Sequence, residues 1–94
     1  MSEISPFAYD LDVSPRSRDL KAMAAFGSVV RERRKAQRLT QAELAERAHV
    51  ERETLGRIER GLREPGLSII IRLAQALEMN ATELMARMEG ALSR

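Results

Sequence analysis

The 94-residue sequence contains no cysteine, no tryptophan and a single histidine. Without cysteine, the chain can form neither a disulfide framework nor a cysteine-ligated metal site. Its longest apolar run is far too short to cross a bilayer, and its N-terminus lacks the basic and apolar regions of a secretory signal. We therefore expect a cytoplasmic location and no membrane partner. The length allows one small domain with a modest core.

The one histidine, His49, lacks the companions that a metal site or a catalytic site needs. No second histidine, no cysteine and no serine paired with a base accompanies it in the sequence. We therefore expect no enzyme activity, no metal ion and no cofactor.

Basic residues dominate the middle of the chain. Residues 16–63 hold thirteen Lys or Arg against seven Asp or Glu, whereas residues 1–15 carry only acidic charges and residues 64–94 are nearly balanced. Fourteen of the sixteen basic residues are Arg, which binds phosphate and guanine through a bidentate fork. This distribution is typical of a phosphate-binding region, although a solvated helical face would show it as well.

The first part of the chain has no sustained helical periodicity. Prolines and scattered Ser and Asp residues predict a flexible N-terminal arm over residues 1–18 rather than a packed helix. Phe7, Tyr9 and Leu11 alternate along it. This arm is therefore either a short extended strand or a docking segment for a partner protein.

Helical periodicity predicts one domain over residues 19–94, with five helices and no strand. The first helix begins near Ser17 or Asp19, Ser68 caps the fourth, and Asn80 or Thr82 starts the fifth. The predicted ranges are 19–37, 41–48, 52–60, 69–78 and 81–91.

The first predicted helix has an inner face at helical spacing. Its expected members are Leu20, Met23, Ala24, Gly27 and Val30. Because Gly27 weakens the middle of this helix, a break between residues 16–25 and 26–37 is an alternative.

The segment from Thr40 to Gly61 reads as two short helices joined by a tight turn. Thr40 and Glu43 match a capping box, in which a hydroxyl N-cap is followed three residues later by a carboxylate. His49 lies at the turn, and histidine adopts a left-handed backbone more readily than most residues. Gly61 is expected to end the second of these helices.

Residues 26–85 resemble the Cro/C1-type helix-turn-helix family, which includes phage repressors, restriction–modification controllers and many antitoxins. The resemblance is carried by FGSVVRERRKAQRLTQ, AELAERA, LGRIERG and RLAQALEMNATELM, in the family's five-helix order. It implies an all-α, lambda-repressor-like domain that binds double-stranded DNA. The chain departs from the family where His49 replaces the usual turn glycine and where Glu51, a poorer N-cap, precedes the third helix.

The resemblance implies that Arg52, Glu53 and Arg57 read base edges from the third helix, which presents its N-terminal turn to the major groove. Arginine favours guanine, and glutamate accepts from the cytosine amino group. We therefore expect half-sites that contain G·C pairs. The alternative for Glu53 and Arg57 is an ordinary i,i+4 ion pair.

Other polar residues are expected to position the protein on the DNA backbone. Gln41 matches a phosphate contact of the family, and Arg38, Thr54 and Arg63 are further phosphate candidates. Each of them is otherwise an ordinary exposed polar residue.

The resemblance gives Arg34 and Glu59 a structural role. At these positions the family often has a partly buried ion pair, which joins the first helix to the third and fixes the reading helix.

Dimerisation is expected because a single small module buries little DNA surface, whereas two modules on a two-fold axis read half-sites about one helical turn apart. The expected homodimer interface is an apolar stripe of the fifth helix, made of Leu84, Met85, Met88 and Leu92. The alternative is that this stripe closes the monomer core.

Together these patterns predict a sequence-specific transcriptional regulator, a repressor that binds a pseudo-palindromic operator as a homodimer. The alternatives are an antitoxin-type autoregulator whose arm binds a partner protein, and a restriction–modification controller.

Overall fold

The computed structural model describes residues 15–93, and of residues 15–18 it describes the backbone alone. This part of the chain contains five helices and no strand, which confirms the all-α prediction. None of the described helices is both long enough and apolar enough to span a membrane. The helices are α1 (Pro15–Ala36), α2 (Gln41–Ala48), α3 (Arg52–Glu59), α4 (Leu67–Ala76) and α5 (Ala81–Leu92).

Helix α1 begins at Pro15, before the expected start near Ser17 or Asp19. Proline suits the first position of a helix because its ring presets φ and its missing N–H would have no helical partner there. The predicted start of the first helix is therefore two to four residues too late. The remainder of the predicted arm, residues 1–14, lies outside the described residues.

No break occurs at Gly27, and α1 runs through it as one helix. A Cβ atom at Gly27 would lie 2.2 Å from the carbonyl oxygen of Ile58 and 2.8 Å from that of Glu59. Only glycine allows the backbones of α1 and α3 to approach this closely. The residue that weakens α1 locally is therefore the one that lets α3 pack against it.

The core lies between the inner faces of all five helices. Burial on α1 follows Phe26, Val29 and Val30, which are spaced at i, i+3 and i+4. The expected inner face of α1 is therefore wrong at its beginning, where Leu20 and Ala24 are exposed. The largest fully buried side chains are Val30, Leu44, Leu55, Ile58, Leu73, Leu77 and Leu84.

Helix α2 has the predicted capping box. The backbone N–H of Glu43 donates to the Thr40 hydroxyl at 3.0 Å, and the backbone N–H of Thr40 donates to the Glu43 carboxylate at 2.8 Å. The hydrogen bond from the Thr40 backbone lowers the pKa of Glu43, because it favours the charged form. Helix α5 begins in the same way, with Asn80 rather than Thr82 as the cap of Glu83.

Helix α4 begins at Leu67, two residues before the predicted start, and Ser68 does not cap it. The backbone N–H of Ile70 donates to the carbonyl of Gly66 at 3.0 Å, so helical bonding starts at Gly66. Ser68 consequently lies inside the first turn. The N-cap position belongs to Gly66, which makes no side-chain hydrogen bond.

Within residues 15–93, three turns contain a left-handed residue that is not glycine. His49 (φ 56°) is the expected one, and Arg38 and Glu78 (both φ 60°) are the others. At His49 the backbone folds back on α2, and the N–H of Val50 donates to the carbonyl of Ala45 at 2.9 Å. Gly61 (φ 72°) has the same conformation two residues after the end of α3, close to the predicted end of that helix.

Candidate nucleic-acid interface

Helix α3 has an inner and an outer face of opposite character. Leu55 and Ile58 are completely buried against the core, whereas Arg52, Glu53 and Arg57 are exposed. The three residues predicted to read bases therefore lie on the part of α3 that the domain leaves uncovered. Their contact with base edges remains a prediction.

Glu53 and Arg57 form an ion pair along the outer face of α3. The Arg57 Nη2 donates to Glu53 Oε2 at 3.2 Å, with the side chains of Arg57 and Glu53 51% and 80% exposed, respectively. The i,i+4 ion pair, which is the alternative to base reading by these two residues, is therefore present. An exposed pair of this kind contributes only a few tenths of a kcal/mol. Either side chain can therefore leave the pair to contact a base at little cost in free energy.

A buried ion pair joins α1 to α3, as the resemblance predicted. The Nε and Nη2 atoms of Arg34 donate to the two carboxylate oxygens of Glu59 at 2.7 and 2.9 Å, and the side chains are 11% and 2% exposed, respectively. The Arg34 Nη1 donates to the carbonyl of Leu39 at 2.9 Å. Its hydrogen bond with Glu59 raises the pKa of the Arg34 guanidinium above its ordinary value. This bidentate pair fixes the end of α3 on α1.

Gln41, the first residue of α2, is attached to the same pair. Its side-chain Nε2 donates to Glu59 Oε1 at 3.0 Å, and the residue is half-buried. The predicted phosphate contact of Gln41 is compatible with this position at a helix N-terminus. Sequence reasoning missed its hydrogen bond with Glu59, because no spacing rule connects residues eighteen positions apart.

The other predicted phosphate contacts lie on segments that flank α2 and α3. Arg38 is exposed in the left-handed turn before α2, Arg63 is exposed in the loop after α3, and Thr54 is half-buried on α3 itself. Their contact with phosphate remains a prediction.

Three further polar side chains hold the helices together, and the sequence pattern did not reveal them. The Nε of Arg72 donates to the carbonyl of Ala48 at 3.0 Å, so α4 satisfies the C-terminal end of α2. Arg33 of α1 and Gln37, which follows α1, donate to the carbonyl of Leu77 at 3.2 and 2.8 Å. The end of α1 thus satisfies a carbonyl at the C-terminal end of α4. These bonds fix the framework on which α3 is presented.

The predicted dimer stripe is mostly part of the monomer. Leu84 is completely buried, and Met85 and Met88 are partly buried against the core. Leu84 is therefore wrongly assigned to an interface, because the packing of α5 on α1 and α4 already covers it. Leu92 is the member that stays well exposed, at 44%.

Residues 30–84 match the family model described as helix-turn-helix. The chain belongs to the helix-turn-helix family. A helix-turn-helix motif is a DNA-binding unit whose second helix enters the major groove. In this chain the motif consists of α2 and α3, so α3 is the second helix of the motif.

Proteins with similar sequences are named as transcriptional regulators. An uncharacterised HTH-type transcriptional regulator of Mycobacterium tuberculosis is 36% identical over 61 residues, which are 65% of this chain and 44% of that protein. A second, from Methanothermobacter thermautotrophicus, is 46% identical over 50 residues, which are 53% of this chain and 72% of that protein. The match thus spans less than half the length of the mycobacterial relative.

Solved structures of regulators have the same helical arrangement. The restriction-modification controller protein C.AhdI from Aeromonas hydrophila is similar with a TM-score of 0.64 and 39% identity, over 66% of this chain and 94% of that chain. The clp gene regulator ClgR from Corynebacterium glutamicum is similar with a TM-score of 0.73 and 25% identity, over 77% of each chain. Both neighbours are regulators by name, and each shares its helical fold with this chain.

Proposed function

We propose that the protein represses transcription by binding a pseudo-palindromic operator as a homodimer, with α3 of each copy in the major groove. The observation that carries the proposal is the outer face of α3. It combines three exposed side chains able to contact bases, Arg52, Glu53 and Arg57, with an inner face locked into the core.

The dimensions of α3 suit this role. A helix with its side chains is about 10–12 Å in diameter, which fits a major groove about 12 Å wide. The eight residues of α3 would extend about 12 Å along that groove. Arg52 and Arg57 offer guanidinium forks for guanine, and Glu53 offers an acceptor for the cytosine amino group. The proposed half-site therefore contains G·C pairs.

Phosphate contacts come from the segments on either side of α3. Gln41 and Arg38 lie at the N-terminal side of α2, and Thr54 and Arg63 lie within and after α3. These contacts set the register of the domain on the duplex without reading sequence.

The proposed homodimer interface is smaller than the stripe predicted from the sequence. It retains the exposed Leu92 and the uncovered parts of Met85 and Met88 at the end of α5. Two copies related by a two-fold axis there would place their α3 helices on successive turns of one DNA face.

The test is selection of bound sequences from random duplex DNA, followed by measurement of Kd across a salt series. Recovery of a two-fold-symmetric site with G·C pairs in each half supports the proposal. Weak binding without sequence preference contradicts it.

Single substitutions then separate base reading from phosphate binding. We expect Arg57→Ala to cost about 1–3 kcal/mol on the selected operator and to relax preference at one base pair. We expect Arg38→Ala to weaken binding to all duplexes about equally and to make the salt slope shallower. Arg87→Ala, which removes the same charge from an exposed position of α5, is the matched control. If Arg57→Ala lowers specific and non-specific affinity equally, Arg57 does not read a base.

A second candidate is control of a restriction–modification system. It is favoured by the 39% identity to the Aeromonas controller protein over nearly all of that chain. A selected operator that lies upstream of a restriction endonuclease gene would support this candidate, and an operator beside unrelated genes would contradict it.

A further inference from the structure

The buried carboxylate of Glu59 accepts hydrogen bonds from two helices at once. Its Oε2 accepts from Arg34 Nε, and its Oε1 accepts from both Arg34 Nη2 and Gln41 Nε2. Arg34 belongs to α1, Gln41 to α2 and Glu59 to α3. One carboxylate, 2% exposed in its side chain, therefore connects the supporting scaffold to the first residue of α2.

The chemistry of these groups fixes the orientation of the Gln41 side-chain amide. An ionised carboxylate can only accept hydrogen bonds, so the amide must turn its NH₂ group, and not its oxygen, toward Glu59. The amide lies beside Gly56, where an added Cβ would be 3.8 Å from Gln41 Oε1 and 4.0 Å from Gln41 Nε2. One of the two amide protons is then bound to Glu59, and the second is left to donate elsewhere.

We propose that Glu59 is a positioning residue for DNA, which holds the Gln41 amide so that its second N–H donates to a backbone phosphate. This inference rests on the proposed function, in which the N-terminus of α2 faces the DNA backbone. Glu59 itself does not touch the DNA.

The ion pair makes this arrangement favourable in two ways. The guanidinium of Arg34 neutralises the Glu59 carboxylate, so the carboxylate orients the amide without repelling the phosphate. The side chain of Gln41 also loses its rotational freedom when the domain folds, so that little more is lost when DNA binds.

The test is a mutant cycle in which DNA affinity is the readout. The wild type is compared with Gln41→Met, with the double variant Arg34→Met/Glu59→Met, and with the combination of all three substitutions. Replacing both ion-pair partners together avoids an unpaired buried charge, and such replacements are often neutral for stability. Circular dichroism melts verify that each variant is folded. The probe is a labelled duplex of random sequence at low salt, because a phosphate contact is independent of sequence.

We expect loss of the ion pair to weaken binding about fivefold when Gln41 is present, the factor associated with one hydrogen bond. In the Gln41→Met background, the same loss should weaken binding clearly less, because only the support of α3 is then removed and no amide remains to be positioned. An equal loss in both backgrounds would overturn the inference, since the ion pair would then act through the fold or by direct contact. If the wild type itself does not bind the duplex at any salt concentration, it is the proposed function that fails.

A second measurement requires no substitution. In NMR spectra of the wild type without DNA, the side-chain amide protons of Gln41 should exchange with water more slowly than those of the exposed Gln75. Addition of the duplex should shift and further protect them. Exchange as fast as that of Gln75 would overturn the inference.

Discussion

Helices α2 and α3 have the same length, eight residues, but they are stabilised in different ways. Helix α2 has a local stabilising contact at each end, the Thr40–Glu43 capping box and the left-handed turn at His49, and Arg72 of α4 adds one hydrogen bond to its last carbonyl. Helix α3 begins after Glu51, whose side chain makes no capping hydrogen bond. Its position depends on its far end, where Glu59 pairs with Arg34 of α1.

This difference explains how α3 can offer its first turn to a partner. An isolated helix of this length is unstable in water, so α3 exists because the core and α1 hold it. Holding it by its inner face and C-terminal end leaves the N-terminal turn, with Arg52 and Glu53, exposed outside the packing of the domain. The scaffold helix is specified locally, and the reading helix is specified by the rest of the domain.

The largest effect should follow from removal of the long-range support of α3. Glu59→Ala leaves the buried Arg34 without its anionic partner, and we expect a loss of about 3–5 kcal/mol in the free energy of unfolding. Urea denaturation monitored by circular dichroism measures it. Glu53→Ala on the exposed face of the same helix is the control, with an expected change below about 0.5 kcal/mol. Equal effects of the two substitutions would contradict the comparison.

A smaller loss is expected when the approach of α1 to α3 is obstructed. Gly27→Ala places a methyl group against the Ile58 carbonyl, and forcing the helices apart should cost about 1–3 kcal/mol. Gly90→Ala is the control, because a Cβ atom at that position of α5 meets nothing within 4 Å. Since alanine favours the helix more than glycine, Gly90→Ala should instead stabilise by up to about 1 kcal/mol. Thermal melts of both variants give the sign directly.

The local support of α2 should contribute less. Thr40→Ala removes the hydroxyl that caps α2, with an expected loss of about 1 kcal/mol in the free energy of unfolding. Thr40→Ser keeps a hydroxyl at this position and should lie close to the wild type. A loss as large as that of Glu59→Ala would mean that α2 is not the locally specified helix.

The smallest effect sharpens the comparison by giving α3 a local cap. Glu51 already has the extended backbone of an N-cap residue (φ −65°, ψ 141°), so Glu51→Ser needs no rearrangement. We expect a gain of about 0.5 kcal/mol, because the serine hydroxyl satisfies a backbone N–H of the first turn. Denaturation that shows no gain would indicate that α3 is already fully specified by its tertiary contacts.

The same contrast decides what could be predicted from the sequence. The boundaries of α2, the Thr40–Glu43 box and the left-handed His49 were predicted correctly, because each depends on residues a few positions apart. The start of α4 was wrong, since Gly66 has no side chain to announce a cap. The fate of Leu84 was not predictable from the apolar spacing of α5, which does not say whether α1 or a second copy covers it.

At the candidate interface, the sequence pattern predicted exposed residues better than connected ones. Arg52, Glu53 and Arg57 lie on the outer face of α3, as their spacing required. The Arg34–Glu59 pair was anticipated only through family resemblance, and the bond from Gln41 to Glu59 was not anticipated at all. Long-range polar contacts depend on helix packing, which no local spacing encodes.

The left-handed residues Arg38, His49 and Glu78 lower the stability of the fold. A non-glycine residue in this conformation costs roughly 1–2 kcal/mol, much of which glycine would avoid. At His49 and Glu78, which have no assigned role on DNA, substitution by glycine is therefore a way to stabilise the protein. At Arg38 the strained residue is also a proposed phosphate contact. Glycine at this position would favour stability, whereas arginine would favour DNA affinity, so selection for the two properties would favour different residues.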